Sequence, residues 1–536
     1  MSSYTQGPDA PLVETTIAEA LQRTVNRAGD RDALIVRHQN QRLTWVQLSS
    51  EVERIAQGLA GLGLRAGDRV GIWATNCTEW VLLHLACARI GAVLVNVNPA
   101  YRAYELSFVL RKSGMKALFL WGRDQKSDYR AILDEATTGQ ILPLEHVVYF
   151  GTGDWARMLA RGIEVPETNV TANDVTNIQY TSGTTGSPKG VLLTHRNVVN
   201  NALIIASGLK ITEQDKICAP VPLYHCFGCV GGTLISVVTG AALILPAPVF
   251  DPLATMQAIE QERATVIYGV PTMFIAELEH PEFPRFSFSS LRTGIMAGAP
   301  CPIEVMKRVV HEMHCPEMTI VYGQTETSPV ITMSSVDDSL ERRVSTVGQA
   351  CPNTEVKIVS TATGETVPIG QQGELCTRGY LVMKGYDQDP EATARAVDAE
   401  GWLHTGDLAT MRADGYFRIT GRAKDLIIRG GENIYPREVE DFLYTHPKVA
   451  DVQVFGVPDA KFGETVGAWI RLKGAATEEE IREFCCEKIA HHKIPQYIRF
   501  VESFPMTVTG KVQKYRMREI EIEERGLQTV ARMETA

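Results

Sequence analysis

Arg69-Val-Gly-Ile-Trp73, Glu79-Trp-Val-Leu-Leu-His-Leu-Ala-Cys-Ala-Arg-Ile90 and Ala92-Val-Leu-Val-Asn-Val97 follow one another almost without interruption. The two short apolar runs have the length and β-branched content of strands, and the longer run between them has the length of a helix. Working outward, Leu48, Val52, Ile55, Ala56 and Leu59 recur at helical spacing before this block. After it, residues 103–112 read as another helix and residues 116–121 as a buried strand. Such alternation predicts parallel, doubly wound α/β sheets.

A chain of 536 residues exceeds what one hydrophobic core organises, so at least two domains are expected. Apolar residues make up 44% and charged residues 22%, the balance of an ordinary folded protein rather than a disordered one. The formal charge of −10 and the lack of clustered Lys and Arg exclude a general nucleic-acid or anionic-membrane surface, so an anionic substrate needs a local site. Met-Ser-Ser-Tyr-Thr-Gln-Gly at the start has neither a basic leader nor an apolar core, which makes a cytoplasmic location the expectation. The uncharged run from Cys226 to Phe250 is interrupted by Gly231, Gly232, Gly240 and Pro246 and reads as a buried helix followed by a buried strand, not a transmembrane segment. Eleven scattered cysteines fit reduced thiols. His225-Cys-Phe-Gly-Cys229 is the one stretch with a metal or redox look, and it lacks a second ligand pair.

Composition changes near Gly415-Tyr-Phe-Arg-Ile-Thr-Gly421. Beyond it, residues 449–457 and 466–472 read as strands, and Thr477 with Glu480 as a capping box for a helix that turns Ile481, Phe484 and Ile489 inward. A separate α+β domain is expected there, dividing the chain into residues 1–420 and 421–536.

The strongest local signal is Tyr180-Thr-Ser-Gly-Thr-Thr-Gly-Ser-Pro-Lys-Gly190. Glycines let backbone N–H groups approach phosphates, the hydroxyls of Thr181, Ser182, Thr184 and Thr185 add donors, and Lys189 adds a point charge. Pro188 and Gly190 flank that lysine, so this is not the Walker pattern. A surface turn would accept any two or three of these residues, but hardly the ten from Thr181 to Gly190 in this order.

This run resembles the phosphate loop of the adenylate-forming enzymes, the superfamily of acyl-CoA synthetases, luciferases and peptide-synthetase adenylation domains. Further motifs of that family follow in order: Pro222-Leu-Tyr-His-Cys-Phe-Gly228, Gly298-Ala-Pro300, Tyr322-Gly-Gln-Thr-Glu326, Gly401-Trp-Leu-His-Thr-Gly-Asp407, Gly421-Arg-Ala-Lys-Asp425 and Gly510-Lys511. The resemblance implies a large α/β N-terminal domain, a small mobile C-terminal lid, and an acid, ATP, Mg2+ and coenzyme A as the reacting partners, with a homodimer also allowed. It assigns ATP phosphates to Thr181, Ser182, Gly183, Thr184, Thr185, Gly186 and Lys189, and the base to Gly298, Ala299, Pro300 and Tyr322, with Gly323 and Gln324 also in the nucleotide site. It assigns the ribose to Asp407 and Arg422, whose carboxylate and guanidinium suit sugar hydroxyls. Thr325 and Glu326 fall at the α-phosphate, and Glu326 with Thr181 at Mg2+, a hard cation that takes oxygen ligands. Lys511 would bridge the carboxylate and α-phosphate, Lys424 marks the hinge, and Gly430 and Gly431 admit pantetheine. In the family the position of His225 shields the acyl pocket and orients the carboxylate; a core histidine satisfied by carbonyls is the plain alternative.

The resemblance places the acyl pocket at residues 222–228, 268–273 and 294–297, with Pro329 and Val330. No Arg, Lys or Asp stands there to pair an amino-acid group, so a hydrophobic acid is favoured. Cys229 occupies the place where some long-chain synthetases carry a tryptophan gate, and Ile428 stands where other members carry a lysine. The stretch Arg429-Gly-Gly-Glu-Asn-Ile-Tyr-Pro436 is most similar to medium-chain fatty acyl-CoA synthetases. The competing readings are an acyl-AMP ligase that loads a carrier-protein thiol, a ligase for an aryl or short-chain acid, and a non-catalytic nucleotide-binding regulator.

Overall fold

The computed structural model describes residues 2–124, 126–181, 188–299, 301–422, 425–429, 432–486, 488–507 and 511–531. By its internal contacts the chain divides into two compact units. The larger takes in Thr5–Val356 and Thr377–Leu403; the smaller takes in Met1–Tyr4, Lys357–Cys376 and His404–Ala536. The division expected after residue 420 lies within the smaller unit.

In the larger unit the deciding stretch folds as strand Arg69–Trp73, helix Thr78–Ile90 and strand Val93–Asn96. Val93–Asn96 is buried at every position, and Thr78–Ile90 is buried nearly all round, which is why neither run alternates with polar residues. Helix Trp45–Gly61 starts at a Thr44 capping box with Gln47 and buries Leu48, Val52, Ile55, Ala56 and Leu59, as the spacing predicts. These helices pack in one core with Val70, Ile72 and Leu94 of a seven-stranded sheet and Ile217, Leu243 and Leu245 of a nine-stranded one, so they form a layer between the two.

Neither sheet is wholly parallel, which corrects the expectation. In the seven-stranded sheet the parallel strands from His146–Tyr149 to Val175–Thr181 give way to antiparallel Lys189–Thr194 and Gly385–Tyr386. In the nine-stranded sheet Val330–Met333 and Gly323 meet antiparallel. The reason is chain length: Val175–Thr181 and Lys189–Thr194 are joined by too few residues for a crossover helix, and a short connection makes a hairpin.

The run after His225 is helical from Cys226 to Thr239 and then forms strand Ala242–Leu245. Gly231 and Gly232 do not break it, because Cys229–Leu234 widens into a π turn; Gly240, at φ +83°, ends it. Among the described residues no helix is long and apolar enough to cross a membrane.

The smaller unit holds most of one five-stranded sheet and all of another. One ends in the antiparallel pair Leu403–Met411 and Phe417–Arg422. The other pairs Val449–Asp459 with Gly463–Leu472 and is packed by Ile427, Val439, Val454, Val466 and Ile481. Thr477 caps helix Glu478–Cys485 through the Glu480 N–H, but only this half of the expected box forms, because the Glu480 carboxylate is turned to Lys448. The helix stops at Cys485, so Ile489 lies beyond it.

Glu277, on helix Pro271–Leu278, is fully buried with Oε2 unpartnered among the described residues. Burial pushes its carboxyl up to about 8. Between its usual pKa and about 8 the unfolded chain ionises this group while the folded chain keeps it protonated, so its contribution to stability is lost as pH rises through that window. Replacing it with methionine removes the penalty: Glu277→Met is expected to raise the melting temperature more at pH 8.5 than at pH 5. An equal change at both pH values, read by differential scanning calorimetry, would contradict this burial effect.

Candidate active site

The phosphate-loop lysine sits at the foot of a hairpin. Thr181 pairs with Lys189, and Tyr180 with Gly190, so the antiparallel register brings the two ends of the loop together. Ser182, Gly183, Thr184, Thr185 and Gly186, between those ends, lie outside the described residues, as do Pro300, Lys424, Gly430 and Gly431.

Tyr322 and Gly323 end strand Glu317–Gly323, where the register shifts at a bulge. A Cβ at Gly323 would meet the Pro329 carbonyl oxygen at 1.9 Å, so the close approach of these two segments requires glycine. Tyr322 is half-buried rather than a sealed core tyrosine. Gln324 opens the short 3-10 turn Thr325–Thr327, which presents Glu326. Gly298, at φ +83°, and Ala299 form the turn that follows strand Thr293–Met296.

His225 turns Nδ1 onto the Phe227 backbone N–H at 3.2 Å and so caps the short helix Cys226–Gly228. Its neighbour Cys226 places Sγ 3.6 Å from His225 Nδ1 and 3.6 Å from Thr325 Oγ1, which brings His225 and Thr325 to one side of the site. The Cys226 and Cys229 thiols have different partners. Cys229 is fully buried and takes the Gln179 side-chain amide at 3.1 Å, with Asn96 at 3.9 Å. Tyr268 is fully buried and stacks on Phe227 with ring centroids 5.7 Å apart, giving the expected acyl region an aromatic, uncharged wall.

The structure adds a residue that sequence reasoning missed. Tyr386 donates its hydroxyl to Glu326 Oε1 at 2.9 Å, and Lys189 Nζ lies 4.9 Å from its ring centroid. Burial, and then the Glu326 carboxylate, hold the phenol above its usual range, so it stays a donor. Its position follows from pairing: Tyr386 is in register with Val191 at the start of the Lys189 strand, and Met383 N–H donates to the Glu326 carbonyl at 2.9 Å. The only signal available in sequence was Gly-Tyr-Asp before a proline-started helix, which reads as an ordinary turn.

In the smaller unit, Asp407 and Arg422 face each other across paired strands and form an ion pair at 2.9 Å, with Asp407 nearly buried. Thr405 Oγ1 accepts the Asp407 N–H and donates to the Leu375 carbonyl, fixing the carboxylate's backbone. The Lys511 N–H donates to Thr507 Oγ1 at 3.0 Å, and its carbonyl accepts the Thr507 N–H at 2.7 Å.

Residues 21–387 match the family model described as AMP-binding enzyme, and residues 438–511 match its AMP-binding enzyme C-terminal domain. The chain belongs to the AMP-binding enzyme family. It is 50% identical to YngI of Bacillus subtilis (strain 168), assigned as an acyl-CoA synthetase, over 96% of this chain and 98% of that one. It is 44% identical to the mitochondrial medium-chain acyl-CoA ligase ACSF2 of Rattus norvegicus, over 96% of this chain and 89% of that one. The crystal structure of the anthranilate CoA ligase AuaEII in complex with anthranoyl-AMP superposes with a TM-score of 0.87 at 27% identity, covering 95% of this chain and 98% of that one. The AMP-binding enzyme is thus an ATP-dependent acyl-CoA synthetase, an acid–thiol ligase with the adenylate-forming fold.

Proposed function

We propose that this ligase converts a medium-chain fatty acid, ATP and coenzyme A to acyl-CoA, AMP and pyrophosphate through an acyl adenylate. The observation that carries the two-step reading is the juxtaposition of Thr181, Lys189, Tyr386 and Glu326, a cation and a carboxylate held through one tyrosine. Lys189 neutralises the departing pyrophosphate, and Lys511 the approach of the carboxylate to the α-phosphate. Tyr322 offers a face for adenine, and Asp407 with Arg422 the ribose contacts. Glu326 and Thr181 fit Mg2+: both offer oxygen, and the Tyr386 bond occupies Oε1 with no described partner on Oε2. That ion supplies charge neutralisation at the phosphates. We assign residues 421–536 as the catalytic lid.

A medium-chain acid is supported by the likeness to ACSF2 and by the uncharged wall of Tyr268 and Phe227. The likeness to the anthranilate ligase, at lower identity, is what favours an aryl acid instead. Measuring CoA-dependent AMP formation over acids of graded length separates these: the account expects a maximum at medium length, and a maximum with aryl acids or only with a carrier-protein thiol would overturn it.

Two substitutions probe the assignment. Tyr386→Phe deletes a hydrogen bond to a charged group, worth roughly 1.5–3 kcal/mol, so pyrophosphate release should fall at least about tenfold and need more Mg2+. An unchanged Mg2+ titration would place Tyr386 outside the machinery. Cys229→Trp should shorten the preferred acid, at about 0.8 kcal/mol per excluded methylene. In a variant that folds by circular dichroism, an unaltered chain-length profile would show that Cys229 faces only Gln179 and Asn96.

A further inference from the structure

Glu374, Cys376 and His404 bring an oxygen, a sulfur and a nitrogen to within 4.8 Å of one another, and none of the three has a role in the reaction described above. Glu374 and Cys376 are two residues apart on strand Gly373–Gly379 and therefore share a face. His404 is the second residue of the neighbouring strand Leu403–Met411. His404 Nδ1 lies 2.9 Å from Glu374 Oε2 and 3.4 Å from Cys376 Sγ. Ligands around a tetrahedral Zn2+ stand roughly 3.3–3.8 Å apart, so the two His404 contacts need only about half an ångström of adjustment to hold one.

We propose that Glu374, Cys376 and His404 form a binding site for a thiophilic divalent cation such as Zn2+, separate from the Mg2+ of the reaction. Sulfur and imidazole select against hard Mg2+ and for zinc-like ions, and three ligands from two adjacent strands leave a fourth position for water. Cys376 is fully buried, whereas the His404 side chain is 34% exposed and gives the entry side. Binding forms metal–sulfur, metal–nitrogen and metal–oxygen bonds and releases the Cys376 thiol proton to solvent, while the imidazole stays neutral with its proton on Nε2. The ion takes Glu374 Oε2; Oε1 keeps its bond from the Gly406 N–H at 2.8 Å, one residue before Asp407. The cation therefore staples two strands beneath the proposed ribose carboxylate.

Cobalt tests this in the untagged full-length protein, because a thiolate ligand gives Co2+ a near-ultraviolet charge-transfer band. One equivalent should develop the band, Zn2+ should abolish it, and millimolar Mg2+ should leave it. Cys376→Ser should lose the band, whereas Cys486→Ser, which alters an exposed cysteine, should keep it. His404→Gln should weaken cobalt binding at least about tenfold and serves as the decisive variant if Cys376→Ser does not fold. No band in the wild type, a full band in folded Cys376→Ser, or unchanged affinity in His404→Gln would overturn the site.

Discussion

Lys511→Ala is expected to lower acyl-adenylate formation by at least about a hundredfold, the scale of losing one charge-stabilising group, while leaving the second half-reaction near its wild-type rate. In the first step a carboxylate approaches a negatively charged α-phosphate, and an ammonium between them lowers that repulsion most in the transition state. In the second step the mixed anhydride is already formed and a thiol attacks it, so the same cation has little left to neutralise. The Lys511 backbone is held by Thr507 on both its N–H and its carbonyl, and truncating the side chain leaves those bonds in place. Presynthesised acyl adenylate with CoA isolates the second step. If both steps fall together, the division of labour is wrong.

Glu326→Gln should reduce adenylation on the order of a hundredfold while the protein stays folded, because it removes a charge at half-buried Glu326 and not core volume. The amide still accepts the Tyr386 hydroxyl, so that contact survives and the loss reports the charge alone. The loss should not be recovered at any Mg2+ concentration, unlike that of Tyr386→Phe, which excess Mg2+ should partly offset. Near-normal pyrophosphate release by Glu326→Gln across the Mg2+ titration would refute its place at the ion.

Local features were the legible ones. Val93–Asn96 is buried at every position and Thr78–Ile90 nearly all round, so their identity was written in dense apolar runs. The phosphate loop announced itself by composition, since glycine and hydroxyl residues beside one lysine suit little else. The antiparallel edge at Lys189–Thr194 was missed because apolar spacing carries no strand direction; only the short connection from Thr181 to Lys189 implies it. Tyr386 was hidden for another reason: it is 60 residues from Glu326, and only the pairing of Gly385–Tyr386 with the Lys189 strand brings them together. Thr477 shows the limit of motif reading, for Glu480 has the right spacing for a capping box but meets Lys448 instead.

Acid-dependent exchange of labelled pyrophosphate into ATP, measured without CoA, tests the central claim most directly. An acyl adenylate formed reversibly before any thiol acts requires exchange that depends on a medium-chain acid and Mg2+ and falls at least about a hundredfold in Lys511→Ala. Exchange that appears only when CoA is present, or ATP cleavage to ADP and phosphate, would contradict the account.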